Sequence, residues 1–165
     1  EKSMGSNGIR RRLMGSDTAE CDYVAAVLKE TLRFKPPLLL PRRAIADSII
    51  GGHLIPAGRI VLANNYALAR GEKWWDSPCA FRPERWTEEE AAPLEGVDRC
   101  KFIPYSVGRR VCPGSRLADA EMSAAAHGLL RRVRWTRVAP VDLSEEYSLT
   151  LSPARAQSLK FTMLQ

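Results

Sequence analysis

The sequence predicts an α+β chain, mainly helical, with small β-sheets. Three observations carry that expectation. Apolar residues recur at helical spacing at Val24, Val27, Leu28 and Leu32, and the run stops at Pro36-Pro37. A stretch from Pro41 to Asn64 reads as short strands punctuated by Gly51-Gly52 and by Pro56-Ala57-Gly58. An alanine-rich run from Ser115 to Arg131 then gives way to alternation at Val133 and Trp135.

The elements follow in order. Residues 1–16, which contain Gly, Ser and Arg, form a frayed lead-in. Asp17-Thr18-Ala19-Glu20 reads as the N-terminal cap of a helix over Cys21–Phe34, where a short polar side chain can accept the first free N–H groups. Pro36 and Pro37 end it, since proline lacks the donor and disfavours helical geometry in the residue before it. Leu38, Leu39 and Leu40 suit an apolar pocket wall or the beginning of an ordinary core strand equally well. Pro41–Ile50, His53–Ile55 and Arg59–Asn64 are the expected strands, with turns between them. After the helix from Ser115, which ends near Gly128 and a basic run, Tyr147–Leu151 and Leu159–Leu164 read as strand, turn and strand around Ser152-Pro153-Ala154-Arg155.

Composition narrows the function classes. The chain has 165 residues, 45% of them hydrophobic, enough for the core of one domain. Its net charge of +6 brings no recognisable nucleic-acid module and no aromatics interleaved with the arginines, so nucleic acid is not an expected partner. Cys21, Cys79, Cys100 and Cys112 form no Cys-x-x-Cys pair, which argues against zinc and against a disulfide framework. No apolar run approaches the roughly 18 residues that span a bilayer.

One of those cysteines stands in an unusual setting. In Lys101-Phe102-Ile103-Pro104-Tyr105-Ser106-Val107-Gly108-Arg109-Arg110-Val111-Cys112-Pro113-Gly114, two glycines flank Cys112. They are expected to turn with positive φ and to pass close to a flat ligand where a larger residue would clash. The helix after Cys112 would turn the positive end of its dipole toward the sulfur and favour a thiolate. A buried structural cysteine in a surface loop is the competing reading.

The run resembles the cysteine loop of the cytochrome P-450 family, whose pattern is Phe-x-x-Gly-x-Arg-x-Cys-x-Gly. Gly108, Arg110, Cys112 and Gly114 fall in register, and Tyr105 stands where Phe is usual. Tyrosine keeps the aromatic face but needs a partner for its hydroxyl. Two further signatures precede the loop in the family's order. Glu30-Thr31-Leu32-Arg33 matches Glu-x-x-Arg, a spacing that lets both side chains meet on one helix face, and Phe81-Arg82-Pro83-Glu84-Arg85-Trp86 resembles the Pro-Glu-Arg-Phe segment with Trp in the last place.

The resemblance implies the C-terminal haem-binding part of the cytochrome P-450 fold. It implies haem b as cofactor, with Cys112 as the axial iron ligand and catalytic thiolate, and with Arg42, Tyr105, Val107, Gly108, Arg110 and Gly114 around the haem. Arg42, rather than Arg43, and Arg110 would meet the haem propionates; solvated surface arginines are the competing reading. Counterparts of Glu30, Arg33 and Arg85 form a buried charged cluster, and Asn64–Arg70 corresponds to a helix. Pro37–Pro41 and Tyr147–Thr150 would border the substrate, with core packing the alternative for both. Basic residues around Arg99, Lys101, Arg109 and Arg116 would flank the side where an acidic electron-donor reductase or ferredoxin docks.

The resemblance runs from about Asp17 to the end and corresponds to a family member's C-terminal third, so residues 17–165 are expected to be part of a larger single domain. Gly15-Ser16-Asp17-Thr18 imitates the acid-alcohol pair of the family's oxygen-activating helix, but it lies too close to Glu30 to belong to one. The expected function is a haem-thiolate monooxygenase inserting one oxygen atom from O2 into a lipophilic substrate. The full-length protein would be held at the endoplasmic reticulum membrane through a segment upstream. A haem-binding or protein-interaction remnant without turnover is the alternative.

Overall fold

The computed structural model describes residues 18–36, 40–87, 100–147 and 151–164. Helix α1 (Thr18–Phe34) opens the described chain, starting a turn earlier than the apolar periodicity alone requires. Lys35 N–H still bonds back to Thr31 C=O at 2.9 Å, and Pro36 then ends the helix. The proposed cap at Asp17, the lead-in over 1–16, and Leu38 and Leu39 lie outside the described residues.

Four short strands follow: β1 (Leu40–Arg43), β2 (Ser48–Ile50), β3 (His53–Ile55) and β4 (Ile60–Ala63). The single strand expected over Pro41–Ile50 is two, because the chain breaks between Arg43 and Ser48 to serve different partners. β1 pairs antiparallel with β4, setting Arg42 opposite Val61, while β2 pairs with β3 across Gly51 and Gly52. Both glycines have positive φ, 58° and 83°, which only a residue without Cβ adopts freely in a tight hairpin turn. Helix α2 (Asn65–Arg70) comes next, with Asn64 outside it as its cap: the Asn64 Oδ1 accepts the Ala67 N–H at 3.0 Å.

A 3-10 turn over Pro83–Trp86 packs against α1, and helix α3 (Ser115–Leu130) begins just after the cysteine loop. β5 (Val133–Arg137), β6 (Glu145–Tyr147), β7 (Leu151–Pro153) and β8 (Leu159–Met163) complete the chain. Here the expected pairing is overturned. The stretches at 147–151 and 159–164 do not form one hairpin: β6 pairs with β7, and β8 returns to β5, placing Trp135 opposite Phe161. Alternation specifies a strand's faces but not its partner, and β5 offers the longer match. Lys35 ties α1 to this region through the Leu143 carbonyl at 2.9 Å and Glu145 at 2.8 Å.

Little hydrocarbon is buried among the described residues: apart from Pro36, Pro78 and Pro83, the buried apolar residues are Val24, Ala26, Ala69 and Trp75. The deepest face of α1 is instead charged. Glu30 is 0% exposed and Arg33 1%, and these are the largest fully buried side chains.

Candidate functional site

The buried cluster forms because α1 presents Glu30 and Arg33 on one face, one turn apart. Arg33 Nε and Nη2 donate to the two Glu30 carboxylate oxygens at 2.9 and 2.8 Å. Its remaining guanidinium hydrogens reach the carbonyls of Ala69 (2.5 Å), Pro78 (2.9 Å) and Ala80 (3.1 Å). Each donor of the planar fork is therefore used. Arg85, 55 residues beyond Glu30, adds Nε to Glu30 Oε1 at 3.2 Å and donates to the Asp76 and Ser77 carbonyls. The expectation that Glu30, Arg33 and Arg85 converge is met.

Two donors to Glu30 were not legible beforehand. The Arg82 backbone N–H reaches Oε1 at 2.8 Å, and the Trp86 indole N–H reaches Oε2 at 2.9 Å. A phenylalanine in the place of Trp86 would offer no such donor. Burial pushes the Glu30 carboxyl up, but hydrogen bonds from Arg33, the Arg82 backbone and Trp86, with the charge of Arg33, outweigh it and hold the group below its ordinary value.

Trp86 also joins the cluster to the cysteine loop. Its ring lies 5.4 Å from that of Trp75 and 4.6 Å from that of Phe102, near the start of the loop. From there the chain turns tightly. Ser106 N–H bonds to Ile103 C=O at 3.1 Å, Val111 N–H to Gly108 C=O at 3.1 Å, and Cys112 N–H to Tyr105 C=O at 2.9 Å. Ser106 and Gly108 both have positive φ, 68° and 75°.

Of the residues singled out in the sequence, Cys112 is a free, exposed cysteine at the head of α3, and its C=O accepts the Ser115 N–H at 3.3 Å. Gly108 has the left-handed geometry expected of it, and nothing lies within 4 Å of where its Cβ would stand. Gly114 does not. It has φ −84° and ψ 1°, a conformation open to any residue, because it occupies the capping position of α3 rather than a left-handed turn. What glycine leaves there is room: an added Cβ would stand 3.9 Å from the Cys112 sulfur.

Tyr105 has the partner its hydroxyl needs. Its phenol donates to Asp119 Oδ1 on α3 at 2.9 Å. Burial, the Asp119 carboxylate and the nearby Cys112 sulfur push the phenol up to about 12. Arg42, from β1, sends Nη2 to the Ser106 hydroxyl at 3.2 Å, whereas Arg43 turns to the Gly58 carbonyl. Arg42 is thus the arginine of the pair that meets the loop. Val107 and Arg110 are exposed, at the start and end of the 3-10 turn over Gly108–Arg110. Of the basic residues flanking the loop, Arg109 and Arg116 are exposed, Lys101 is half-buried over the Trp75 ring at 5.2 Å, and Arg99 lies outside the described residues. The proposed pocket wall at Tyr147–Thr150 lies outside them as well, beyond the backbone of Tyr147.

A flat apolar cofactor with one open metal position fits these residues. Cys112 offers a single soft donor, Gly108 leaves a Cβ-sized space, and Val107 and Val111 expose apolar side chains beside it. Among the described residues no group of three or more His, Cys, Asp or Glu could hold a metal ion without such a cofactor. Among the described residues no helix is long and apolar enough to cross a membrane.

The comparisons with known proteins agree with this arrangement. The model of the cytochrome P450 family matches residues 6–161. An indolin-2-one monooxygenase of Zea mays is 38% identical over 147 residues, covering 84% of this chain and 27% of that protein. Cytochrome P450 83A1 of Arabidopsis thaliana is 39% identical over 150 residues, 87% of this chain and 30% of its own length. The chain therefore spans less than a third of these relatives. The crystal structure of the cytochrome P450DA haem domain matches with a TM-score of 0.79 at 26% identity, over 93% of this chain and 32% of that one. With the ordered motifs, the buried Glu30 cluster and a partial haem-domain fold all in agreement, the chain belongs to the cytochrome P450 family.

Proposed function

We propose that this chain is the thiolate-bearing part of a haem monooxygenase and that Cys112 is its iron ligand. The observation that carries the reading is the setting of Cys112: an exposed sulfur at the head of α3, on a loop turned by Gly108 and held by the Tyr105 carbonyl. When bound, haem b would supply one-electron and O2 chemistry, the insertion of one oxygen atom into a lipophilic substrate with reduction of the other to water.

The chain's own residues have separable tasks. Cys112 donates its sulfur to the iron, and the loop's main-chain bonds fix the direction of that sulfur. Val107, Gly108 and Gly114 give an apolar, closely approachable bed. Arg42 and Arg110 supply guanidinium groups for the propionates, and the Arg42 contact with Ser106 already brings one of them to the loop. Exposed Arg109 and Arg116 suit the docking of an acidic reductase or ferredoxin. Residues 17–165 would be one part of a longer single domain, with 1–16 leading into it; coverage of less than a third of the relatives supports this. Membrane attachment at the endoplasmic reticulum would come through a segment upstream.

The test is the ferrous carbon monoxide spectrum of the full-length protein. Cys112→Ser is expected to abolish its thiolate signature, since an alcohol cannot replace the anionic sulfur, while Cys21→Ser, Cys79→Ser and Cys100→Ser keep it. Loss in one of those three with retention in Cys112→Ser would refute the assignment. Substrate turnover by the same preparation separates a monooxygenase from a haem-binding remnant.

A further inference from the structure

The cysteine loop has an internal problem of geometry. It carries two left-handed residues, and one of them, Ser106, is not glycine. A residue with a Cβ is strained there, so the conformation persists only if its surroundings impose it. The loop's main-chain bonds are local and could travel with it. Beyond the ring contacts at its start, two side-chain hydrogen bonds tie it to other elements: Arg42 to the Ser106 hydroxyl, and Tyr105 to Asp119.

The second tie acts on the sulfur most directly. Tyr105 is the residue whose carbonyl takes the Cys112 N–H, and its phenol is bonded to Asp119 on α3. Cys112 C=O accepts the N–H of Ser115, the first residue of that helix. A closed ring of contacts results, from Cys112 to Tyr105, to Asp119, along α3 to Ser115 and back to Cys112. If the phenol were released, the hydrogen bond at Cys112 N–H could move with it. The carboxylate makes this a charge-assisted bond, stronger than one between neutral groups.

We infer that Asp119 is a positioning residue for Cys112, latching the cysteine loop to α3 through the Tyr105 hydroxyl. The inference rests on Cys112 being the iron ligand. It assigns a role to a side chain that no motif marks, and gives a reason for tyrosine at position 105: the ring packs, and the hydroxyl locks.

The test uses the haem-loaded full-length protein and reads how fast its ferrous carbon monoxide complex loses the thiolate signature in mild urea, together with the reduction potential. Asp119→Ala and Tyr105→Phe are each expected to speed the loss roughly tenfold, the effect of one charge-assisted hydrogen bond. The double variant should be no faster than either single one, because both remove the same contact. Asp119→Asn, which keeps an acceptor oxygen, should restore part of the wild-type rate, whereas a purely structural loss would not be recovered by it. Where Asp119→Ala fails to load haem, Tyr105→Phe carries the comparison, since it keeps the ring. A rate within twofold of wild type for Tyr105→Phe, or additive effects in the double variant, would overturn the latch. Cys112→Ser, run alongside, keeps the two failures apart: if it loses the signature, the ligand reading stands whatever Asp119 does, and if it keeps it, both fall.

Discussion

Trp86 and Tyr105, the two aromatic positions where this chain departs from the family's pattern, each carry a polar atom, and each has met a carboxylate. At Glu30 this completes a shell: both oxygens accept hydrogen bonds, from Arg33, Arg82, Arg85 and Trp86, and no water is needed to satisfy them. Breaking that shell from the acid side is the costly change. Glu30→Ala leaves the Arg33 and Arg85 guanidinium groups buried without their counter-charge, and is expected to lower stability by about 3 to 5 kcal/mol. Trp86→Phe removes a single donor to a charged group and should cost about 1.5 to 3 kcal/mol. Urea unfolding of the full-length protein checks both, and equal effects of the two changes would mean that the charge balance is not what matters. Acid should act on the same group. Because the folded carboxyl titrates below its ordinary value, its contribution is present above the unfolded-state pKa and is lost as pH falls through the folded one. The Glu30→Gln variant should therefore show a flatter fall of stability with acid than the parent.

Secondary elements were legible where one local rule decided them. Pro36 ends α1, Gly51 and Gly52 turn the β2–β3 hairpin, and the alanine-rich run is α3. Asn64 needed one step more, since a helix at Asn64–Arg70 is really a helix at Asn65–Arg70 with a side-chain cap. That cap gives an element-scale prediction. Asn64→Ala should cost about 1 kcal/mol, because it frees the Ala67 N–H of a helix whose Ala69 carbonyl holds Arg33. A urea midpoint unchanged from the parent would show that packing alone sustains α2. What escaped the sequence was long-range. Period-two alternation announced β5 and an apolar stretch announced β8, but neither could say that they pair, and a tyrosine in place of phenylalanine announced the need for a partner without choosing Asp119 over Glu121. The motifs announced the cluster of Glu30, Arg33 and Arg85 and pointed to Cys112 as the candidate ligand, whereas the left-handed Ser106 and the Arg42 contact with it depend on a backbone path that no single residue encodes.

At the scale of the whole molecule, the described residues bury few apolar side chains and expose many. Ile49, Leu54, Ile60 and Leu62 face outward on the first two sheets, Leu117 on α3 is 63% exposed, and Phe161 on β8 is 66% exposed. Among the described residues each of the four sheets has two strands, a size that is marginal in water without a covering layer. Apolar surface this extensive marks an interface rather than a solvent boundary. This 165-residue chain, expressed alone, is therefore expected to bind an apolar dye and to sediment as an associated species. The same geometry bears on chemistry. On the proposed reading the cysteine loop would serve a haem from the thiolate side alone, while controlled oxygen activation also requires the opposite face to be enclosed, with water restricted and protons delivered to it. With haem and a competent electron donor added, the isolated chain should consume reductant and oxygen, if at all, without forming substrate-dependent product. Product, oxygen and reductant measured together decide it. Coupled hydroxylation by this chain alone would mean that its own residues enclose both faces, and residues 1–29 would then be the place to look for the second wall.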